Sequence, residues 1–316
     1  MTKVLLWGGA GFIGSNLSRR LLSDGHSVTV LDNLSTGDLT NLATLEAEGL
    51  NFVRQDICDQ IFDFDPDVVL NLACPASPVH YQADPIGTTK TSVLGVINVL
   101  EFCERTGARL VHASTSEVYG DPQVHPQRED YVGHVNPIGI RACYDEGKRC
   151  AESLIFDYRR ERGVHANVVR IFNTYGPKMQ INDGRVVSNF VVQALRGDPI
   201  TIYGDGLQTR SMCFVDDMVD AFVRLTESEA LLPGPINLGN PAEITIKDFA
   251  GIVLEMTGSR SELVYQPLPD DDPKKRQPNI DAAKSTIGWE PKVALEEGLA
   301  ATIEYFRERL ALEAAA

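Results

Sequence analysis

The chain has 316 residues, 43% hydrophobic and 23% charged, enough to bury a full α/β core with room for a second lobe. Its 44 acidic and 29 basic residues give a formal charge of −15 at pH 7, which argues against nucleic acid or an anionic membrane as partner. An anionic ligand must then be met locally, by helix N-termini, backbone N–H groups and a few placed arginines.

No apolar run approaches the roughly 20 residues that span a bilayer, and no signal-peptide pattern precedes the first apolar run. The cysteines (Cys58, Cys74, Cys103, Cys143, Cys150, Cys213) form no C-x-x-C, and neither they nor His112, His134 and His165 show metal-ligand spacing. They read as thiols of a reducing compartment, so a cytoplasmic protein without a metal is expected.

Lys3-Val4-Leu5-Leu6-Trp7 reads as a buried strand. It runs into Gly8-Gly9-Ala10-Gly11-Phe12-Ile13-Gly14, and a helical pattern follows over residues 15–22. Gly9, Gly11 and Gly14 satisfy G-x-G-x-x-G, and Gly8 extends the run. Glycines there allow a tight turn and close backbone approach to a pyrophosphate, which the helix N-terminus attracts. A second strand over residues 27–31 ends at Asp32, placed to bond an adenosine ribose and to repel a 2′-phosphate. NAD is therefore expected over NADP. After a strand at 51–54, Asp56-Ile57 either reaches an adenine edge or Asp56 is an exposed loop acid; the residues leave both open.

Further strands are predicted at 68–73, 109–114 and 166–172, alternating with helices at 88–105 and 144–162. This alternation predicts an α/β, Rossmann-type doubly wound parallel sheet with its crevice at the carboxyl ends of the strands. Ser114-Thr115-Ser116-Glu117 and Asn173-Thr174 directly follow strand ends. Beyond Gly176-Pro177, loops rich in Gly, Pro and Asp suggest a smaller, discontinuous substrate-binding lobe. The expected division is 1–176 for the dinucleotide domain, rejoined by 208–240, with 177–207 and 241–316 as the lobe. Cys213-Phe214-Val215-Asp216-Asp217 and the helix after it are expected to return to the main sheet.

Tyr144 and Lys148 stand four apart, on one face of the predicted helix. The Lys148 ammonium is expected to lower the Tyr144 phenol from roughly 10, so that it takes a proton from a sugar hydroxyl near neutral pH.

Several longer runs carry a resemblance: Pro75-Ala76-Ser77-Pro78, residues 114–122, Gly133-His134-Val135-Asn136-Pro137-Ile138-Gly139 and residues 141–149. Ile171-Phe172-Asn173-Thr174, residues 182–190, Gln208-Thr209-Arg210, residues 237–241 and Asp271-Asp272-Pro273-Lys274-Lys275-Arg276 continue it. On these the chain resembles the extended short-chain dehydrogenases/reductases acting on nucleotide sugars, and among them the UDP-glucuronate decarboxylases. The likeness runs from Gly8 nearly to the C-terminus. It implies NAD contacts at Gly8, Gly11, Phe12, Ile13, Gly14, Asp32 and Asn33. Further cofactor contacts are implied at Asp56, Ile57, Leu72, Ala73, Ser114, Tyr144 and Lys148. The implied catalytic set is Tyr144, Lys148, Thr115, Glu117 and Arg276. Substrate contacts are implied at Pro78, Tyr81, Ser116, Asn173, Arg185, Val186, Tyr203, Gln208, Arg210 and Arg276. The helices at 88–105 and 144–162 carry apolar stripes (Val93, Val96, Ile97, Leu100; Cys150, Leu154, Ile155, Tyr158), and the resemblance implies a homodimer joined there in a four-helix bundle.

Sister chemistries share one opening, in which Tyr144 takes the C4 hydroxyl proton and hydride leaves C4 for NAD. A 4,6-dehydratase needs an acid beside the Glu, and Ser116-Glu117 lacks it. A 4-epimerase needs only room for the keto sugar to turn over. A decarboxylase needs a grip on the sugar carboxylate, which the resemblance assigns to Arg276, and a proton for C5 that Glu117 orders through water or relays. The expected reaction is decarboxylation of UDP-glucuronate to UDP-xylose through a UDP-4-keto intermediate, with NAD recycled. A 4-epimerase, and a decarboxylase that releases the 4-keto pentose, are the alternatives; a dinucleotide sensor without catalysis fits poorly, since the whole catalytic set is present. Departures from the family pattern are Trp7, Asn71, Cys74, Asp84, Ser92 and Ile140.

Overall fold

The computed structural model describes residues 1–60, 63–268 and 275–315; Asp271, Asp272, Pro273 and Lys274 of the last run quoted above lie outside them. The chain proceeds as β1 (Lys3–Trp7), α1 (Phe12–Ser23), β2 (Ser27–Asp32), α2 (Ala43–Ala47), β3 (Asn51–Arg54) and β4 (Val68–Asn71). Next come α3 (Pro78–Ala83), α4 (Pro85–Thr106), β5 (Arg109–Thr115), α5 (Ala142–Arg162), β6 (Ala166–Ile171) and β7 (Thr174–Tyr175). The remainder is α6 (Val186–Arg196), β8 (Ile200–Tyr203), β9 (Thr209–Ser211), β10 (Cys213–Phe214), α7 (Val215–Glu227) and β11 (Ile236–Leu238), then β12 (Glu243–Thr245), α8 (Ile246–Thr257), β13 (Leu263–Gln266), α9 (Asp281–Ile287) and α10 (Leu295–Ala315).

Seven strands form one sheet in the order β11-β6-β5-β4-β1-β2-β3, every pair parallel. The chain winds outward from β1 to β3 and then crosses back to β4, so the order reverses between β1 and β4. That reversal is where a doubly wound sheet opens its crevice. Alternate residues supply two cores, which is why the strands read as unbroken apolar runs. Val4, Leu6, Val28, Val30 and Leu70 pack with Leu17, Leu21 and Phe222 on one face. Leu5, Val69, Leu110 and Val168 pack with Val96, Val99, Leu100 and Ile155 on the other.

Two boundaries move for local reasons. Strand β4 stops at Asn71, short of residue 73, because the Asn71 side-chain carbonyl accepts the Ala73 N–H at 3.1 Å and turns the chain. Helix α4 starts at Pro85 rather than 88, because Asp84 caps it through the Gly87 N–H at 2.9 Å. The segment after Ser211 returns to the main sheet through its helix and β11 rather than through Cys213-Phe214 itself. Cys213-Phe214 pairs with β7 outside the sheet, α7 packs on α1, and β11 joins the edge against β6. Small sheets β8–β13 and β9–β12, with α6 and α8, build the second, discontinuous lobe beside the crevice.

Candidate active site

At the carboxyl ends of the central strands a single cavity of about 580 Å³ lies between sheet and lobe. Every site residue expected from the sequence lines it except Asp56.

The cofactor half is built from glycines that nothing else can replace. Gly8 has φ +77°, and a Cβ there would fall 2.8 Å from the Leu72 carbonyl carbon; a Cβ on Gly14 would fall 2.2 Å from the Gly8 oxygen. Gly11 caps α1 without a side-chain bond and no acid stands in the first turn, so the amides over Phe12 and Ile13 are left for an anion. Asp32 ends β2 buried, accepting the Ala10 and Leu34 N–H groups at 3.0 and 2.8 Å. Burial raises its pKa above the usual carboxylate value, against those two bonds. Asp56 instead orients Asn33, whose amide it accepts at 2.8 Å, together with the Cys58 N–H at 2.8 Å. Burial pushes Asp56 up, but these donors prevail and hold it below the usual value. A cradle with no room for a Cβ, an uncapped helix and a ribose-height carboxylate fit NAD.

On the reaction half, α5 places Tyr144 and Lys148 one turn apart and buried. Lys148 Nζ donates to the Ala113 carbonyl at 2.7 Å, and the Tyr144 ring stacks on Tyr81 with centroids 5.0 Å apart. The expected lowering of the Tyr144 pKa is corrected here. Burial raises it, helped by the Cys74 thiol and the Glu117 carboxylate, while a hydrogen bond from Thr115 works the other way. Lys148 is itself lowered by burial, and its ammonium is committed to the Ala113 carbonyl. In the protein alone, burial favours the protonated phenol of Tyr144.

Glu117 is clasped between two arginines, Oε2 accepting from Arg276 at 2.8 Å and Oε1 from Arg141 at 2.9 Å. Burial pushes its carboxyl up, yet Arg276, Arg141 and Arg210 hold it below the ordinary value. Arg276 also reaches Asn173 Oδ1 at 3.3 Å and lines the cavity. Arg141 was given no role from the sequence. The available signal was its position three before Tyr144, one helical turn away on the same face.

The substrate half is polar and partly pre-paired. Arg185, the residue before α6, forms two bonds to Asp183 at 2.5 and 2.7 Å. The α6 N-terminus at Val186 has no side-chain cap and no acid in its first turn. Gln208 Nε2 donates to the Tyr203 carbonyl at 2.6 Å, and Arg210 Nη1 to the Thr209 carbonyl at 2.8 Å. The buried Tyr81 hydroxyl has no hydrogen-bond partner among the described residues, as a group awaiting a ligand would. Pro78, Ser116 and Asn173 complete this wall.

Comparison with known proteins gives this geometry a family. The NAD dependent epimerase/dehydratase family profile matches residues 4–239. Over 309 residues the chain is 50% identical to UDP-glucuronic acid decarboxylase 1 of Danio rerio, covering 98% of this chain and 73% of that one. It is similar in structure to UDP-glucose 4-epimerase of Thermotoga maritima with UDP-glucose, 34% identical with TM-score 0.90 over 98% and 99% of the two chains. It is similar also to UDP-glucuronic acid 4-epimerase of Bacillus cereus in complex with UDP-glucuronic acid and NAD, 26% identical with TM-score 0.88 over 97% and 99%. The chain belongs to the NAD dependent epimerase/dehydratase family, and identity of one residue in two over nearly its whole length places it with that family's UDP-glucuronic acid decarboxylases.

Proposed function

We propose that this protein decarboxylates UDP-glucuronate to UDP-xylose through a UDP-4-keto intermediate. One observation carries the reading: a buried guanidinium, Arg276, held at 2.8 Å by the Glu117 carboxylate, lines the same cavity as Thr115 and Tyr144, within reach of a sugar carboxylate bound there. Turning over a neutral sugar requires no such grip; a 4-epimerase of an acidic sugar would share it, and release of carbon dioxide separates the two.

Bound NAD supplies the hydride acceptor for C4 and returns the hydride at the end. Tyr144 takes the C4 hydroxyl proton, and Thr115, already bonded to that phenol, holds the C4 oxygen. Bound NAD would add positive charge to this site, and Lys148, one turn along α5, holds its ammonium at the Ala113 carbonyl. With C4 a ketone, the C6 carboxylate belongs to a β-keto acid. Carbon dioxide leaves, its bonding electrons pass into the C4 carbonyl, and Tyr144 and Thr115 stabilise the enolate. Glu117, kept ionised by its arginines, orders the water that protonates C5 rather than donating a proton itself. Asn173, Arg185, Gln208, Arg210, Tyr203 and the α6 N-terminus hold the nucleotide diphosphate.

The likeness to solved 4-epimerases supports one alternative, a 4-epimerase. Incubating carboxyl-labelled UDP-glucuronate with purified protein, without added NAD, separates the two. Labelled carbon dioxide with UDP-xylose supports the cycle and retained NAD. Carbon dioxide with accumulating 4-keto pentose identifies a leaking enzyme, with Trp7 and Cys74 on the cavity wall as suspects. No label released even with NAD present would defeat the proposal.

The same reading includes the domain division of 1–176 with 208–240 against 177–207 with 241–316. It includes a homodimer through α4 and α5, which pack side by side and leave Leu94 exposed and Val93, Ile97 and Leu154 half-buried. It also includes a cytoplasmic setting, supported by six free thiols; no described helix is long and apolar enough to cross a membrane.

A further inference from the structure

Glu117 has two guanidinium partners where one would neutralise it. Arg141 and Arg276 take one carboxylate oxygen each, and all three side chains are about nine-tenths buried. Arg210 on β9 adds a third positive charge within electrostatic reach. All four residues line the cavity, where they would face a substrate that carries its own carboxylate.

The two partners stand on different supports. Arg141 opens α5, and its carbonyl accepts the Tyr144 and Asp145 N–H groups at 3.0 and 3.1 Å. Arg276 lies in the irregular segment before α9 and is shared with Asn173 at 3.3 Å. A carboxylate buried without a partner is strongly unfavourable. Were Arg276 the sole partner, turning it towards a sugar carboxylate would strand Glu117. With Arg141 in place the exchange leaves every charge paired.

On the reading proposed above, we infer that Arg141 is a positioning residue: it holds Glu117 while the Arg276 guanidinium is shared with the substrate carboxylate, and so sets the preference for an acidic sugar. Among the described residues, the titratable groups acting on Glu117 are Arg141 and Tyr144 from α5, Arg276 from the segment before α9, Arg210 from β9 and Tyr81 from α3. Removing Arg141 therefore takes one of three cations from Glu117 and moves its titration upwards.

The test is calorimetric binding of UDP-glucuronate and of UDP-xylose, which lacks the carboxylate, to wild-type, Arg141→Gln and Arg141→Lys holoenzymes, with kcat against pH. Arg141→Gln is expected to weaken UDP-glucuronate on the order of tenfold or more while UDP-xylose stays within about twofold. The acid limb of kcat moves to higher pH, and Arg141→Lys recovers part of both effects. Unchanged UDP-glucuronate affinity with an unchanged acid limb overturns the inference. So does equal weakening of both nucleotides, the mark of a merely structural residue. Arg141→Met repeats the comparison if the Gln variant does not fold. Wild-type protein that fails to prefer UDP-glucuronate over UDP-xylose defeats the functional reading itself; a Gln variant that keeps a wild-type preference defeats only the role of Arg141.

Discussion

Glu117 and Glu152 are both buried carboxylates held by arginines, yet they are built from different parts of the chain. Glu152 lies on α5, and Arg170 on β6 donates to it at 2.6 and 3.0 Å. Ser114 at the end of β5 adds a bond at 2.5 Å. Arg170 also donates to the Tyr119 hydroxyl at 2.9 Å and lies over that ring, and Tyr119 donates to Asn237 on β11 at 2.8 Å. This network ties helix and strands together, and neither Glu152 nor Arg170 lines the cavity. Glu117 sits on the short turn after β5, and its partners come from the first residue of a helix and from an irregular segment. The same chemistry is scaffold where regular elements hold both partners, and lines the cavity where loop ends hold it, which is where the proposed function puts it to work. The first cluster also serves the second, since the strand end fixed through Ser114 carries Thr115 and Glu117.

Four measurements can break or sharpen that contrast. Glu117→Gln, measured per folded protein, should lower single-turnover carbon dioxide release by roughly 10²–10⁴-fold; normal activity in the folded protein would reverse the two assignments. Glu152→Gln should do the opposite, costing about 3–5 kcal/mol in urea unfolding while turnover of the folded fraction stays within a few-fold. Next, Glu152→Leu with Arg170→Met removes both charges, and most of that stability should return, because well-packed apolar pairs often replace a buried ion pair at little cost. The matching pair Glu117→Leu with Arg276→Met should recover no activity.

The smallest effect is the pH dependence of stability. Glu117 has a folded pKa below its ordinary 4.5, so its contribution is fully present above that value and is lost as pH falls towards the depressed one. Melting temperature should therefore fall less steeply in Glu117→Gln than in wild type below about pH 4.5. Asp32 works in reverse, since burial raises its folded pKa and its protonation on acidification favours the fold. The wild-type-minus-variant difference isolates Glu117 from it, and a difference of the opposite sign would rule out the depressed carboxyl.

Much of the site was legible because its parts are local. The glycine turn, Asp32 eighteen residues after Gly14, and Tyr144 one helical turn before Lys148 each depend on spacing within a single element or turn. Arg276 came from the resemblance alone, as 159 residues separate it from Glu117. Arg141 escaped notice because its spacing from Tyr144 marks a shared face but not burial against Glu117, which depends on packing. The Tyr144 pKa was misjudged for a related reason. Spacing brings Lys148 to the same face, but burial and the commitment of Lys148 to Ala113 depend on packing against β5.

By itself the sequence determined the doubly wound parallel sheet, the dinucleotide cradle and the Tyr-Lys pair, because hydrophobic period, glycine placement and helical spacing act over a few residues. Only the tertiary structure decided that Asp56 stands off the cavity wall, holding Asn33 that lines it, and that β11 closes the sheet edge. It alone decided that Glu117 stands ionised between Arg141 and Arg276. Those outcomes rest on burial and long-range charge pairing, which arise only when distant segments meet in a low-dielectric interior.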